Sequence, residues 1–388
     1  MRILVVGAGP AGLTLALSLA RRGIAAEVVE RAPQLNTGGY VVSLQANGWD
    51  VAERLGFLPA LRRAALPASD SVYRDGAGRE LFRFRDAILK ELTGGKMLHV
   101  PRDVLVGLMA DALAQAGMPP PRFATEVTAI VQASTATEVT FSDGTREAFD
   151  LVVGADGIHS RVRALALGPE ERHLRPLGYR GAAWRMPFEG RLEPLYEGYM
   201  EVGRQAILYQ SGPRELSTLL CWRNSDLDPV PPQARHGTVA AAFAGTHPVL
   251  QRLIDGPVAW EGAFLDAVCQ IEMPAWSRGR VVLTGDAAWC LSLLSGQGAS
   301  MAMAGGHLLA EALAHAPVDD ALATWEARLR PVIGAIQRHA RASARSYIPR
   351  SALGLGISRL LLPLLMSRPV LMLRARALVA PSIVASEA

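Results

Sequence analysis

Residues 2–30 constrain this chain more than any other stretch, because they set out a strand, a glycine-rich turn, a helix and a second strand in the order a dinucleotide site requires. Residues 2–6 are a β-branched and aliphatic run that reads as a buried parallel strand. They lead directly into Gly7-Ala8-Gly9-Pro10-Ala11-Gly12, a G-x-G-x-x-G sequence. In that context Gly7 permits the tight turn, Gly9 lets the backbone approach a pyrophosphate, and Gly12 lets the helix pack closely on the strand. Pro10 suits a first helical turn. The helix is predicted to run to about Arg22, with Leu13, Leu15, Ala16, Leu17 and Leu19 largely buried and its N-terminal amides facing the diphosphate. Glu27-Val28-Val29-Glu30 then returns as a strand, and Glu30 stands where an acidic partner of an adenosine ribose hydroxyl belongs. An apolar opening behind Arg2 also fits a signal peptide, but the three glycines and the lack of a polar cleavage region after Ala20 keep the segment in the fold.

Two later segments repeat this logic. Val139-Thr140-Phe141, the turn Ser142-Asp143-Gly144-Thr145 and residues 149–154 read as a hairpin with a strongly apolar second strand. It ends in Ala155-Asp156-Gly157, which puts Asp156 at a strand's carboxyl end, where open α/β sheets bind ligands. A third strand at 280–283 ends in Thr284-Gly285-Asp286-Ala287-Ala288, and Ser295-Gly296-Gln297-Gly298 opens a helix predicted to reach about Leu313. Asp286 is suited to accept from a ribitol or ribose hydroxyl. Gly296 and Gly298 expose amides at a helix start, where the N1 and O2 side of a flavin is stabilised.

Together the three motifs resemble the group A flavoprotein monooxygenases, which have the para-hydroxybenzoate hydroxylase fold. The stretch from Gly285-Asp286-Ala287-Ala288-Trp289-Cys290 to Leu294-Ser295-Gly296-Gln297-Gly298 is similar to the subgroup of tetracycline-inactivating enzymes. The resemblance implies an α/β fold: a Rossmann-like FAD-binding domain interleaved with a mostly antiparallel β-sheet substrate domain, plus a C-terminal helix. It implies FAD as cofactor and NADPH or NADH as a transient co-substrate without a glycine fingerprint of its own. It further implies oxygen addition at flavin C4a and transfer of one atom from the C4a-hydroperoxyflavin to an aromatic or polycyclic substrate. By the same resemblance Gly7, Gly9, Pro10, Ala11, Gly12, Glu30 and Arg31 hold the adenosine diphosphate. Gly285, Asp286, Gly296, Gly298 and Ala299 serve the ribityl and flavin region, and Asp156 supports the cofactor. Arg102 lies against it, and Gly38-Gly39-Tyr40 passes near the isoalloxazine. The chain departs from the family where a proline normally stands between the Gly-Asp aspartate and the Gly-x-Gly: Leu291 and Leu293 occupy that loop, which a fixed proline φ would otherwise stiffen.

A chain of 388 residues exceeds what one core usually holds, so two domains are expected, and the resemblance implies that they interleave. The reading assigns 1–70, 98–173 and 268–340 to the FAD-binding domain, 71–97 and 174–267 to the substrate domain, and 341–388 to a C-terminal helical segment. The span 174–267 carries β-like runs with large side chains, of which Trp184, Met186, Met200, Tyr209 and Trp222 are candidates to face the substrate. Among forty basic residues only Lys90 and Lys96 are lysines, and the arginines form no basic run, which argues against nucleic acid. Cys221, Cys269 and Cys290 have neither disulfide nor zinc spacing, the histidines lack metal-ligand spacing, and no metal is expected. A cytoplasmic monomer or homodimer is expected. Arg359, Pro363, Arg368 and Pro369 break the leucine-rich tail, so it reads as a helix packed across both domains rather than a membrane span, with peripheral membrane contact as second reading. The alternatives to hydroxylation are a flavin oxidase, reductase or halogenase, or a flavin-bound ligand-binding protein without turnover.

Overall fold

The computed structural model describes residues 1–35, 40–133, 136–373 and 382–384, leaving the side chains of 345–347 aside. Four short aliphatic strands form the parallel core of a five-stranded sheet, in the order Ser277–Arg278, Val281–Leu283, Leu151–Gly154, Ile3–Val6 and Ala26–Val29. Only Ser277–Arg278 runs antiparallel. Ile3 pairs with Leu151 on one side and Ala26 on the other, so the central strand is buried on both edges and both faces, as its unbroken aliphatic run requires. The helix Pro10–Ala20 makes the crossover, and every residue from Ala11 to Leu19 is buried. The predicted hairpin is corrected here. Thr137–Phe141 pairs with Arg146–Phe149 in a separate three-stranded sheet, whereas Leu151–Gly154 crosses into the parallel sheet. Its continuous apolar character marked it for a two-sided environment rather than for a surface hairpin.

The second layer is a seven-stranded sheet in the order Phe264–Ile271, Leu174–Pro187, Glu215–Arg223, Arg204–Gly212, Tyr196–Glu201, Ser71–Asp75 and Glu80–Phe84. Its pairs are antiparallel except Tyr196–Glu201 with Ser71–Asp75. The period of two divides it. Ala182, Trp184, Met186, Leu208, Leu220 and Trp222 point to one face, where they form a core with Val239, Phe243, Leu250 and Ile254 of two covering helices. Residues one step out of phase, among them Gly181, Ile207, Tyr209, Leu219 and Cys221, point the other way, towards the parallel sheet's end of the molecule.

The helix Val318–Tyr347 spans thirty residues. Trp325 Nε1 donates to Gly305 O (2.9 Å) at one end, Gln337 Nε2 donates to Ile271 O (2.8 Å) midway, and Ala344 O accepts from Tyr179 Oη at the other. This helix, rather than the leucine-rich tail, braces both sheets. The tail forms two further helices, Ala352–Leu365 and Arg368–Leu373, at the Glu80–Phe84 edge and beside Asp86–Thr93. Among the described residues no helix is long and apolar enough to cross a membrane.

Candidate cofactor and active site

Every parallel strand of the first sheet ends at one cavity of about 440 Å³. Ile3–Val6 delivers the glycine turn, Ala26–Val29 delivers Glu30, Leu151–Gly154 delivers Asp156, and Val281–Leu283 delivers Asp286. The turn is shaped by close packing on one side and openness on the other. A Cβ on Gly12 would lie 2.0 Å from Gly7 O, so only glycine lets the helix sit this near the strand, while a Cβ on Gly9 would meet nothing within 4 Å. The open space before Gly9 and the first helical amides is what a diphosphate needs. At the adenosine end Glu30 Oε2 accepts from Ala8 N and Oε1 from Ala32 N, each at 2.9 Å, which fixes the carboxylate at the cavity wall beside Arg31.

Asp286 opens a short helix, Asp286–Trp289, on the opposite wall. Its side chain is exposed only towards the cavity, and burial of the surroundings holds its carboxyl above the usual carboxylate range against the opposing pull of the Arg102 guanidinium and the Cys290 thiol. Open to the cavity, this carboxylate is placed to accept from a hydroxyl donor, which a ribityl chain supplies. Gly298 and Ala299 begin the helix Gly298–His315, and they and Gly296 line the same cavity. Asp156 also lines it, yet its carboxylate is already engaged, with Ser160 Oγ donating at 2.6 Å and Val162 N at 3.1 Å. Burial raises its carboxyl and these two donors oppose the rise. Asp156 thus ties down the loop that enters the helix Arg161–Ala166.

The far end of the cavity is formed by Tyr40, residues 41–43, Arg102, Tyr209, Leu219 and Leu293, so it reaches the second sheet. Of the side chains predicted to face substrate, Tyr209 alone lines it. Trp184, Met186 and Trp222 are out of phase with Tyr209 and pack in the core behind the sheet, and Met200 packs on Leu81 and Phe82. Pro10, Ala11 and Arg31 line the cavity; Gly39 lies outside the described residues. The loop that lacks the family's proline is pinned otherwise. Ser292, with φ +87°, accepts from Leu294 N through Oγ (3.0 Å), and Ser295 Oγ donates to Ser292 O (2.8 Å).

Several residues on the cavity wall were not singled out from the sequence: Ser43, Thr125, His159 and Arg161. Arg163 is a further one, wholly buried behind the wall, where it donates to Ala287 O (2.9 Å), Ile158 O (2.6 Å) and Glu170 (2.7 Å) and so joins the Asp156 loop to the Asp286 helix. Its position shortly after Asp156 is the only hint the sequence offered. The three thiols are buried and burial pushes them up, Cys221 to about 12 and Cys269 to about 11, which leaves them protonated and inert. Among the described residues no group of three His, Cys, Asp or Glu side chains is placed to hold a metal ion.

A family model described as an FAD binding domain matches residues 1–176. The 3-amino-4-hydroxybenzoate 2-monooxygenase PtmB3 of Streptomyces platensis is 30% identical over 356 residues, covering 89% of this chain and 88% of that protein. The chain belongs to the FAD-dependent monooxygenases. Solved structures agree with the fold of this monooxygenase. Tetracycline destructase Tet(51) superimposes with a TM-score of 0.78 at 25% identity, covering 94% of this chain and 96% of that one. Klebsiella pneumoniae HpxO, complexed with FAD and uric acid, does so with a TM-score of 0.82 at 23% identity, covering 97% and 96%. The glycine turn, the open space before Gly9 and the Asp286 wall fit the FAD that this family binds.

Proposed function

We propose that this monooxygenase hydroxylates a small aromatic or polycyclic substrate at the end of the cavity between Tyr209, Leu219 and Leu293, consuming NADPH or NADH. One observation carries the reading: the cavity that begins at Glu30 continues without a break to side chains of the seven-stranded sheet. A cofactor bound along the glycine turn therefore ends against a partly apolar wall able to take a flat ring. Related proteins act on such rings, since PtmB3 is named for an aminohydroxybenzoate and Tet(51) for tetracycline. FAD, when bound, supplies the redox and oxygen-transfer chemistry.

The chain's own residues bind and shield in this reading. Gly7, Gly9, Pro10 and Ala11 would receive the diphosphate with Gly12 packed behind the turn, Glu30 and Arg31 the adenosine ribose, and Asp286 the ribityl chain with Gly285 packed on Ala11 behind it. With the cofactor bound, Arg102 and the amides of Gly296, Gly298 and Ala299 would offer positive charge and hydrogen-bond donors to its ring system. Asp156 holds the adjoining loop. Tyr40, raised above its usual range chiefly by burial, remains a neutral donor beside Arg102. Leu219 and Leu293 exclude water from the reacting face. The division into 1–70, 98–173 and 268–340 against 71–97 and 174–267, and a cytoplasmic setting, belong to the same proposal.

The test is the visible spectrum of the purified protein, followed by NADPH and NADH oxidation in air with a panel of phenols and tetracyclines. A flavin spectrum, substrate-stimulated oxidation and a product heavier by one oxygen atom are expected. Bound flavin with reduction but no oxygenated product from any ring compound would favour an oxidase or reductase instead.

A further inference from the structure

Six large apolar side chains that stand in water are concentrated in the last two helices: Leu353, Ile357, Leu360, Leu361, Leu364 and Leu373. The first five recur at i, i+4, i+7, i+8 and i+11 of the helix Ala352–Leu365, so they share one face. Leu353, Leu360 and Leu364 are 75%, 78% and 61% exposed, which is far from the edge-of-core values of a half-packed residue. The helix does not lack an attachment. Its opposite side, through Leu355, Leu362 and Met366, packs on Leu81, Phe82 and Met200 at the edge of the large sheet. A helix apolar on both sides with only one of them covered presents the kind of contiguous patch that monomeric proteins avoid unless it is used.

The charge of the same region points to the occupant. From residue 348 to 373, the stretch that holds the last two helices, the chain has three arginines and no Asp, Glu or Lys. Arg350 and Arg359 are exposed beside the leucine face, while Arg368 is committed to Glu91 at 2.8 and 2.6 Å and so anchors the following helix to Asp86–Thr93. Pairing two copies through this face would set one arginine-only segment against another. An anionic bilayer offers hydrocarbon to the leucines and phosphates to the arginines at the same depth. Fourteen residues interrupted by Pro363 are too short to span, so the helix lies in the plane of the surface.

We propose that the Ala352–Leu365 face docks this enzyme reversibly on an anionic lipid bilayer. Met200, on which the helix packs, pairs with Gln205, whose side of the sheet also carries Tyr209. Docking therefore sets the cavity side of the large sheet towards the membrane, where apolar ring compounds accumulate.

The experiment is vesicle flotation of the full-length, FAD-loaded protein, which needs no turnover and so stands apart from the choice of substrate. Vesicles of mixed phosphatidylglycerol and phosphatidylcholine should carry the protein up the gradient, about tenfold more than phosphatidylcholine alone, and high salt should release it. Combining Leu360→Glu with Leu364→Glu should lower the floated fraction about tenfold while leaving FAD content unchanged, because both side chains are already in water. Should that variant lose FAD, Leu353→Ser with Ile357→Ser replaces it. Wild-type protein that stays at the bottom with both vesicle types overturns the proposal, as does a glutamate variant that floats as well as wild type. A stable dimer in light scattering that the glutamates disperse, without flotation, would assign the face to a second copy and also overturn it.

Discussion

The Asp286 carboxylate faces the cavity from a site where burial already disfavours its charge, so a cofactor hydroxyl is its natural partner. Asp286→Ala should weaken FAD binding by about 10- to 100-fold, the range for losing one hydrogen bond to a charged group. Fluorescence titration of the apoprotein with FAD measures this, and a variant that purifies fully yellow with unchanged affinity would remove Asp286 from the cofactor. Arg163 makes a different residue-scale prediction. Its guanidinium is buried and serves Ala287 O, Ile158 O and Glu170 at once, so Arg163→Met should leave those acceptors unpaired and cost about 3–5 kcal/mol. Urea unfolding would show it, and a loss under about 1 kcal/mol would mean that the network relaxes around the gap. The two residues differ in legibility for a physical reason. Asp286 stands in a strand–turn–helix whose glycines are dictated by backbone geometry, and such positions announce themselves. Arg163, Ser43 and Arg161 acquire their roles only from what the fold brings near them.

Helix packing around the glycine turn rests on contacts that no local pattern announces. Gly306, in the middle of Gly298–His315, lies so near Pro10–Ala20 that a Cβ there would meet Ala11 O at 2.7 Å and Leu15 N at 3.0 Å. Alanine normally stabilises a helix by about 0.5–1 kcal/mol over glycine. At Gly306 the sign should reverse, with Gly306→Ala destabilising by about 1–3 kcal/mol as the helices are pushed apart. Gly356, where a Cβ meets nothing within 4 Å, is the matched control, and Gly356→Ala should be neutral or stabilising. Thermal denaturation of the pair tests the packing, and equal shifts would refute it. At this scale the sequence told more about strands ending in glycine-rich turns than about sheet faces. The helices Pro10–Ala20 and Gly298–His315 emerge close to where the periodicity and glycines set them. The face assignment of Trp184, Met186 and Trp222 failed because an alternating strand identifies two faces without saying which one meets the ligand. Only the pairing with Tyr209's strand decides that.

The chain passes from the parallel sheet to the large sheet and back more than once, and this interleaving was legible through the family resemblance rather than through composition or length. What holds the two sheets in register is likewise distributed, and one clasp is titratable. His159 follows the Leu151–Gly154 strand, and its Nε2 and Nδ1 lie 2.9 Å from Asp266 of the large sheet and 2.9 Å from Glu170. The Asp266 hydrogen bond first, then Glu170, against the opposing effect of burial, lifts the imidazole from 6.5 to about 9. A folded-state value above the unfolded one means that the protonated clasp stabilises the fold fully below about pH 6.5 and stops doing so once the pH passes about 9. Half of the histidine side chain is in water, so solvent screening keeps the effect modest. Urea midpoints of the wild type should therefore decline between these two pH values, and His159→Gln, which cannot protonate, should show a flatter decline over the same window. The difference between the two profiles isolates the clasp from every other titrating group. Because His159 also lines the cofactor cavity, the variant should bind FAD less tightly at pH 6.5 than the wild type, with the gap closing towards pH 9. Parallel profiles for the two proteins would show that the sheets are held together without it.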